Sequence, residues 1–282
     1  MIDDQSYLLP VDRIVFIGQI LFALGIIGIG IQHFMYSNFI PVMLPWWPSS
    51  IPGRASAAHF LGAILIFAGA LIIIKKQARI AATRLGMIFI LLFTLIVLIQ
   101  LTQNKFADLF KPGIWTNTLK EFAFCGSAFV VAASLPRNKL PAEKEPSSIE
   151  RFENKLMSLS KYPLAIMVLI FGIDHFIYVE YVSTLIPIWI PGHIFWTYFA
   201  GAALIASGAG IILNINARLA ATMLGVMLFI WVLILHIPRA IADPSGNMGN
   251  EMTSVFEALA FCGVAFILGR VLPDGNKNRN LV

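Results

Sequence analysis

The chain has 282 residues, 58% hydrophobic and only 12% charged, about half the charged share usual for a soluble domain. Too little charge is present to cover a soluble fold of this length. The formal charge of +5 does not point to nucleic acid, because in a membrane protein basic residues report orientation.

The first twelve residues, MIDDQSYLLPVD, are acidic and lead to no small-x-small cleavage site, so no cleavable signal peptide is expected. Asp12 reads as the N-cap of a first span. Residues 14–53, 55–74, 85–104, 122–136, 164–173, 181–217 and 219–238 contain no Asp, Glu, Lys or Arg. Runs of about 20 apolar residues match the hydrocarbon thickness of a bilayer when helical. Eight spans are predicted: 13–36, 55–74, 79–101, 117–135, 155–181, 194–213, 218–237 and 252–270.

Of the 20 Lys and Arg residues, only Arg54, Lys105, Lys111, Lys120 and Arg239 fall on one side of these spans. The rest share the side of both termini, which the positive-inside rule assigns to the cytoplasm. Between spans four and five, a Pro-rich loop opens the linker. Ser148, Arg151, Phe152 and Leu156 then suggest a short amphipathic helix. Pro163 fits the first turns of span five or a kink in it.

The two halves match at ordered points. Gly30-Ile31-Gln32-His33-Phe34 returns as Gly172-Ile173-Asp174-His175-Phe176, and Ile51-Pro52-Gly53 as Ile190-Pro191-Gly192. Ala78-Arg79-Ile80-Ala81-Ala82-Thr83 returns as Ala217-Arg218-Leu219-Ala220-Ala221-Thr222. Ala123-Phe124-Cys125-Gly126 returns as Ala260-Phe261-Cys262-Gly263, the offset falling from 142 to 139 to 137. This pattern is read as a tandem duplication of a four-helix unit, with parallel repeats. The expected fold class is all-α: a polytopic membrane protein of two tandem four-helix bundles with both termini cytoplasmic. The first unit is residues 1–136, the linker 137–160 and the second unit 161–282.

These motifs resemble the DoxX-like family of four-helix membrane proteins. The family features are a G-x-x-H-F helix end, a Pro/Trp segment closing on W-I-P-G, an R-x-A-A helix start and a K-E-x-A-F last helix. Here they read Gly172 to Phe176, Trp189-Ile190-Pro191-Gly192, Arg79 and Arg218 with the alanines that follow, and Lys120-Glu121-Phe122-Ala123-Phe124. The resemblance implies a subunit of the bacterial inner membrane, linked to thiosulfate or thiol oxidation and quinone reduction, with a soluble or membrane redox partner. Here the unit is doubled and no soluble redox domain is attached.

His33 and His175 occupy equivalent outward positions, each followed by a segment rich in Pro and Trp. Such segments cannot run as ordinary helix and favour the membrane interface, so they read as lids. The second half is more polar: it has Asp174 where the first has Gln32, and His236 and Arg239 where the first has Val97 and Gln100. Ionisable groups inside spans are costly and are candidate functional groups by default. A pocket among spans five to eight is expected under the Trp189 lid, with His175 and Asp174 exchanging protons and Glu257 or His236 as partner. His33, Trp189, Arg239 and Glu121 are candidates for holding a lipophilic cofactor such as a quinone. The competing reading is a structural network, for example Arg239 with Glu257. Each histidine could likewise serve only as a hydrogen bond to its lid. No histidine pair has metal spacing on one helix, so neither haem nor a metal is expected. Cys125 and Cys262 read as packing residues.

Three functions stay open: a quinone- or thiol-linked redox membrane subunit, a non-enzymatic lipid binder or assembly partner, and a small-molecule transporter.

Overall fold

The structure is a computed structural model that describes residues 10–45, 47, 51–74, 77–104, 112–136 and 147–273. Its helices are α1 (Pro10–Tyr36), α2 (Arg54–Ile74), α3 (Ala78–Gln103), α4 (Thr116–Ala133), α5 (Ser148–Leu159) and α6 (Lys161–Ile177). Then follow α7 (Val179–Thr184), α8 (His193–Leu213), α9 (Ala217–Trp231), α10 (Ile237–Ala242) and α11 (Gly246–Val271). A 3₁₀ turn, Pro112–Trp115, leads into α4, and a π-helical turn, Val232–His236, joins α9 to α10. Among the described residues there is no strand.

Seven helical stretches are long and apolar enough to cross a membrane: Arg13–Tyr36, Arg54–Ile74, Ala78–Gln103, Ser148–Ile177, His193–Leu213, Ala217–Ala242 and Gly246–Val271. The chain is therefore a polytopic helical membrane protein. The expected fourth span, 117–135, corresponds to α4, which is not among the seven. It opens on Thr116-Asn117-Thr118 and carries Lys120-Glu121. Most of α4 is buried by neighbouring helices, so its polar groups need not meet lipid.

The expected linker helix is α5. Ser147 accepts a hydrogen bond from the Glu150 amide at 3.2 Å, and the Glu150 carboxylate accepts one from the Ser147 amide at 2.7 Å. This capping box satisfies two amides that the first helical turn leaves open. A break at Ser160 separates α5 from α6, which carries Pro163 in its first turn where the missing N–H costs nothing. The Pro-rich start of the linker lies outside the described residues.

Helix pairing is not confined to the two tandem units. Within each half the first two main helices pack together (α1 with α2, α6 with α8), as do the last two (α3 with α4, α9 with α11). The first helix of each half, however, lies along the last helix of the other: α1 along α11, and α6 along α4. Small residues permit this. A Cβ on Gly18 would sit 2.5 Å from the Gly263 carbonyl oxygen, and one on Gly126 would sit 2.6 Å from that of Ser160. Backbones come together that closely only where side chains are absent. The eight long helices thus form one interleaved body. In its middle α4 meets α11 through Phe124 and Phe261, whose ring centroids are 4.7 Å apart.

Contacts recur at the offsets read from the sequence. Gly30 faces the Gly62 carbonyl as Gly172 faces that of Gly201. Arg79 donates to the Ala132 and Leu135 carbonyls at 2.9 Å, capping the C-terminus of α4, and Arg218 donates to the Gly269 carbonyl of α11 at 3.4 Å. A cation at a helix C-terminus meets carbonyls that have no partner within the helix. These residues define an arginine end of the body. His33, His175, Glu121 and Glu257 lie toward the opposite, histidine end.

Candidate functional site

The two histidines have different surroundings. In both, the ring Nδ1 meets the carbonyl four residues back: Ile29 at 2.8 Å for His33 and Phe171 at 2.6 Å for His175. The bond is to the histidine's own helix, not to a lid carbonyl. For His33 the second nitrogen is also engaged, because the Ile40 amide donates to Nε2 at 3.5 Å. Phe39, Ile40, Val42, Met43 and Leu44 are buried over it, and His33 itself has no exposure. His33 is a sealed structural residue, with neither ring nitrogen left for a cofactor.

The second half is open at the matching place. Tyr181, the counterpart of Phe39, is 68% exposed against 7%, and Trp189 is 64% exposed. Trp189 therefore projects away from the body and does not cover His175. The cause is local. Ser37 turns the first chain with a left-handed φ of +46°, after which the Asn38 side chain accepts from the Phe39 amide at 2.9 Å. Val179 stands at the equivalent of Ser37. A β-branched residue strongly resists positive φ, so the second chain continues helically as α7. His175 keeps Trp231 as a stacked neighbour, with centroids 6.3 Å apart. Asp174 has one buried carboxylate oxygen without a partner.

His236 ends the π turn. Pro238, two residues on, has no N–H to close the α-helical bond, and the Ile237 amide reaches back to the Val232 carbonyl instead. The first half has no proline there and α3 runs unbroken. Arg239 pairs with Glu251 at 2.6 Å, which replaces the expected Arg239–Glu257 pair.

Glu257 pairs across the two halves with Lys120, Nζ to Oε2 at 2.7 Å. Beside them Glu121 has no exposure, and neither of its carboxylate oxygens has a partner. Glu121 follows Lys120 on α4, so the second acid stands next to the ion pair in the chain. Thr118 Oγ, Glu257 Oε1 and His236 Nδ1 are likewise buried without partners.

Above this layer, α11 begins in a left-handed turn at Asn247, Met248 and Gly249, with φ of +48°, +57° and +69°. The end of α1 grips it. Gln32 donates to the Gly249 carbonyl at 3.1 Å and accepts from Thr253 at 3.1 Å, while Asn38 donates to the Met248 sulfur at 3.2 Å.

The expected residues thus fall into two groups. His175 and Asp174 stand together on α6. Glu257, Glu121, His236 and Arg239 surround the α4–α11 contact. Among the described residues no hydrogen bond or ion pair joins the groups. Lys120, Glu251 and Trp231 were missed as site residues. Lys120 was discoverable, because the Phe124/Phe261 register sets it, not Glu121, opposite Glu257. Cys125 and Cys262 are buried and unbridged. A cleft of about 120 Å³, lined by Val130, Met157, Ser160, Lys161 and Leu268, lies at the arginine end, away from both groups.

Fold and site together define a polytopic helical membrane protein with a charge cluster buried between its halves. Residues 164–260 match the model of a domain of unknown function, DUF8561, a stretch that holds His175, Asp174, Trp231, His236, Arg239, Glu251 and Glu257. No curated protein and no solved structure matches the chain.

Proposed function

We propose that this protein is a duplicated, DoxX-like membrane subunit of eight crossings that binds a lipophilic small molecule of the quinone class at the histidine end of its second half. The arginine end and both termini are cytoplasmic, so the binding site lies in the outer leaflet. One observation carries the reading: two equivalent histidines, of which His33 is sealed on both nitrogens and His175 keeps Nε2 free of any hydrogen-bond partner. A ligand head group hydrogen-bonded to His175 Nε2 would lie beside Trp231, and its tail would extend into lipid. Asp174 supplies a second polar contact. Recurrent contacts such as Gly30–Gly62 and Gly172–Gly201 support the duplication. Placing the Arg79, Arg84 and Arg218 end in the cytoplasm accords with the positive-inside rule.

The test is solvent extraction of gently purified protein, with mass spectrometry of any stoichiometric small molecule. A quinone that is lost in His175→Ala supports the reading. A phospholipid or nothing at all overturns it. A thiol-specific cysteine reagent that does not cross membranes tests the orientation. It should label Trp189→Cys in intact cells, and a cysteine at Asn154 only after permeabilisation.

A second reading, a docking surface for another membrane protein, is favoured by the exposed aromatic row Phe195, Trp196 and Phe199 on α8. Loss of a co-purifying membrane partner on replacing this row by leucine would support it.

A further inference from the structure

The cluster between α4 and α11 stands apart from the ligand reading, and its charges can be counted. Glu121 is fully enclosed, and Glu257 is 4% exposed. Glu121 follows directly on Lys120, the partner of Glu257, and both carboxylates lie in a medium that screens charge poorly. The cation at this site is Lys120, bonded to Glu257 alone, with its Nζ on Oε2 at 2.7 Å. Among the described residues, the other elements packed on α4 offer no further cation to Glu121; Arg151 and Lys155 belong to α5, which packs at the arginine end. Helix α3 carries no charged residue after Arg84, and α6 contributes only Asp174 and His175 at this end. On α11 the other acid, Glu251, is already held by Arg239. His236, at the end of the π turn, has a buried Nδ1 without a partner and makes no hydrogen bond to either acid. Among the described residues, one ammonium therefore stands against two buried acids, and both oxygens of the second acid lack any partner. An ionised carboxylate without a partner is not sustained in such a place, whereas a neutral acid is.

We propose that Glu121 and Glu257 form a proton-binding site in which Lys120 neutralises one carboxylate and a single bound proton neutralises the other, the proton residing on Glu121. Thr118, one turn back on α4, likewise has its buried hydroxyl without a partner. The ligand of this site is H⁺. By the same count, any cationic group brought to Glu121 displaces that proton. The Phe124–Phe261 stack lies one turn deeper and separates the proton from the arginine end.

The test is infrared spectroscopy of the full-length protein in detergent at neutral pH, reading the C=O stretch of a protonated carboxyl group. Labelling with ¹³C-glutamate assigns the band to glutamate. One such band is expected in the wild type, and its absence overturns the proposal. Glu121→Gln, a neutral isostere of the protonated acid, should keep the wild-type elution profile and lose the band. A band that persists, or a variant that fails to fold, overturns the proposal. Glu257→Gln should also lose the band, because Lys120 is then free to serve an ionised Glu121. Lys120→Gln should double it, because both acids must then carry protons. A band unchanged in either variant shows that the three groups do not share one proton, and the proposal fails.

Discussion

Lys120 and Glu257 occupy equivalent positions in the two halves and meet each other, Nζ to Oε2 at 2.7 Å. One turn deeper, the equivalent Phe124 and Phe261 do the same at 4.7 Å between ring centroids. A pseudo-twofold relation between the halves thus passes through the α4–α11 contact. The two residues that meet at this contact carry opposite charges, so it is closed by an ion pair.

Breaking that pair should cost more than removing it. Lys120→Met leaves a buried carboxylate and should lower stability by roughly 3 kcal/mol, the lower end of the range for a severed buried pair, because Glu257 can take up a proton. Lys120→Met combined with Glu257→Met should recover most of the loss. Thermal unfolding of the four members of this cycle, in one detergent, reads the coupling directly. Additive losses would show that the two side chains do not interact.

Interleaving of the halves predicts the behaviour of a cleaved chain. A protease site inserted between Arg137 and Glu145 would cut the linker without touching α1–α11 or α4–α6. The two fragments should elute together as one species after cleavage. Separation would mean that each half closes on itself. Gly263→Leu, which drives a side chain into the Gly18 backbone, should promote separation of the cut fragments.

The left-handed turn that opens α11 gives a pair of opposite effects. Gly249 has φ of +69°, and a Cβ there would strike the Tyr36 hydroxyl. Gly249→Ala should destabilise the protein by more than about 1 kcal/mol. Asn247→Gly, at φ of +48°, should stabilise it by up to about 1 kcal/mol, since a non-glycine residue there carries left-handed strain. Unfolding midpoints that move the same way in both variants would contradict the turn.

The unequal lids can be read by chemistry. Phe39→Cys and Tyr181→Cys stand at equivalent positions with exposures of 7% and 68%. N-ethylmaleimide should modify Tyr181→Cys at least about tenfold faster, following access to the thiolate. Equal rates would show that both lids are open or both are closed.

Much of this was legible from residue order alone. The amphipathic linker helix from Ser148, the helix start near Arg79 and the histidines near their helix ends follow from local chemistry. The site was less legible. His175 and Asp174 share a helix end by sequence, but their expected partnership with Glu257 was overruled by Lys120, 137 residues away along the chain. Arg239 found Glu251 rather than Glu257, because the π turn before Pro238 shifts the facing of the residues that follow it. Trp189 read as a lid from its motif. Its exposure was decided upstream, where Val179 replaces a serine that could turn the chain.

The sequence by itself determined that this protein is helical and lies in a membrane. The reason is that an apolar run of bilayer length leaves its backbone no partner except its own helix. It also determined which positions repeat. Only the tertiary structure decided which helices are neighbours. Lipid-facing and helix-facing surfaces are equally apolar, so hydropathy does not distinguish them. The choice falls to close contacts such as Gly18 on Gly263 and to ion pairs such as Lys120 with Glu257, whose members lie far apart in the chain.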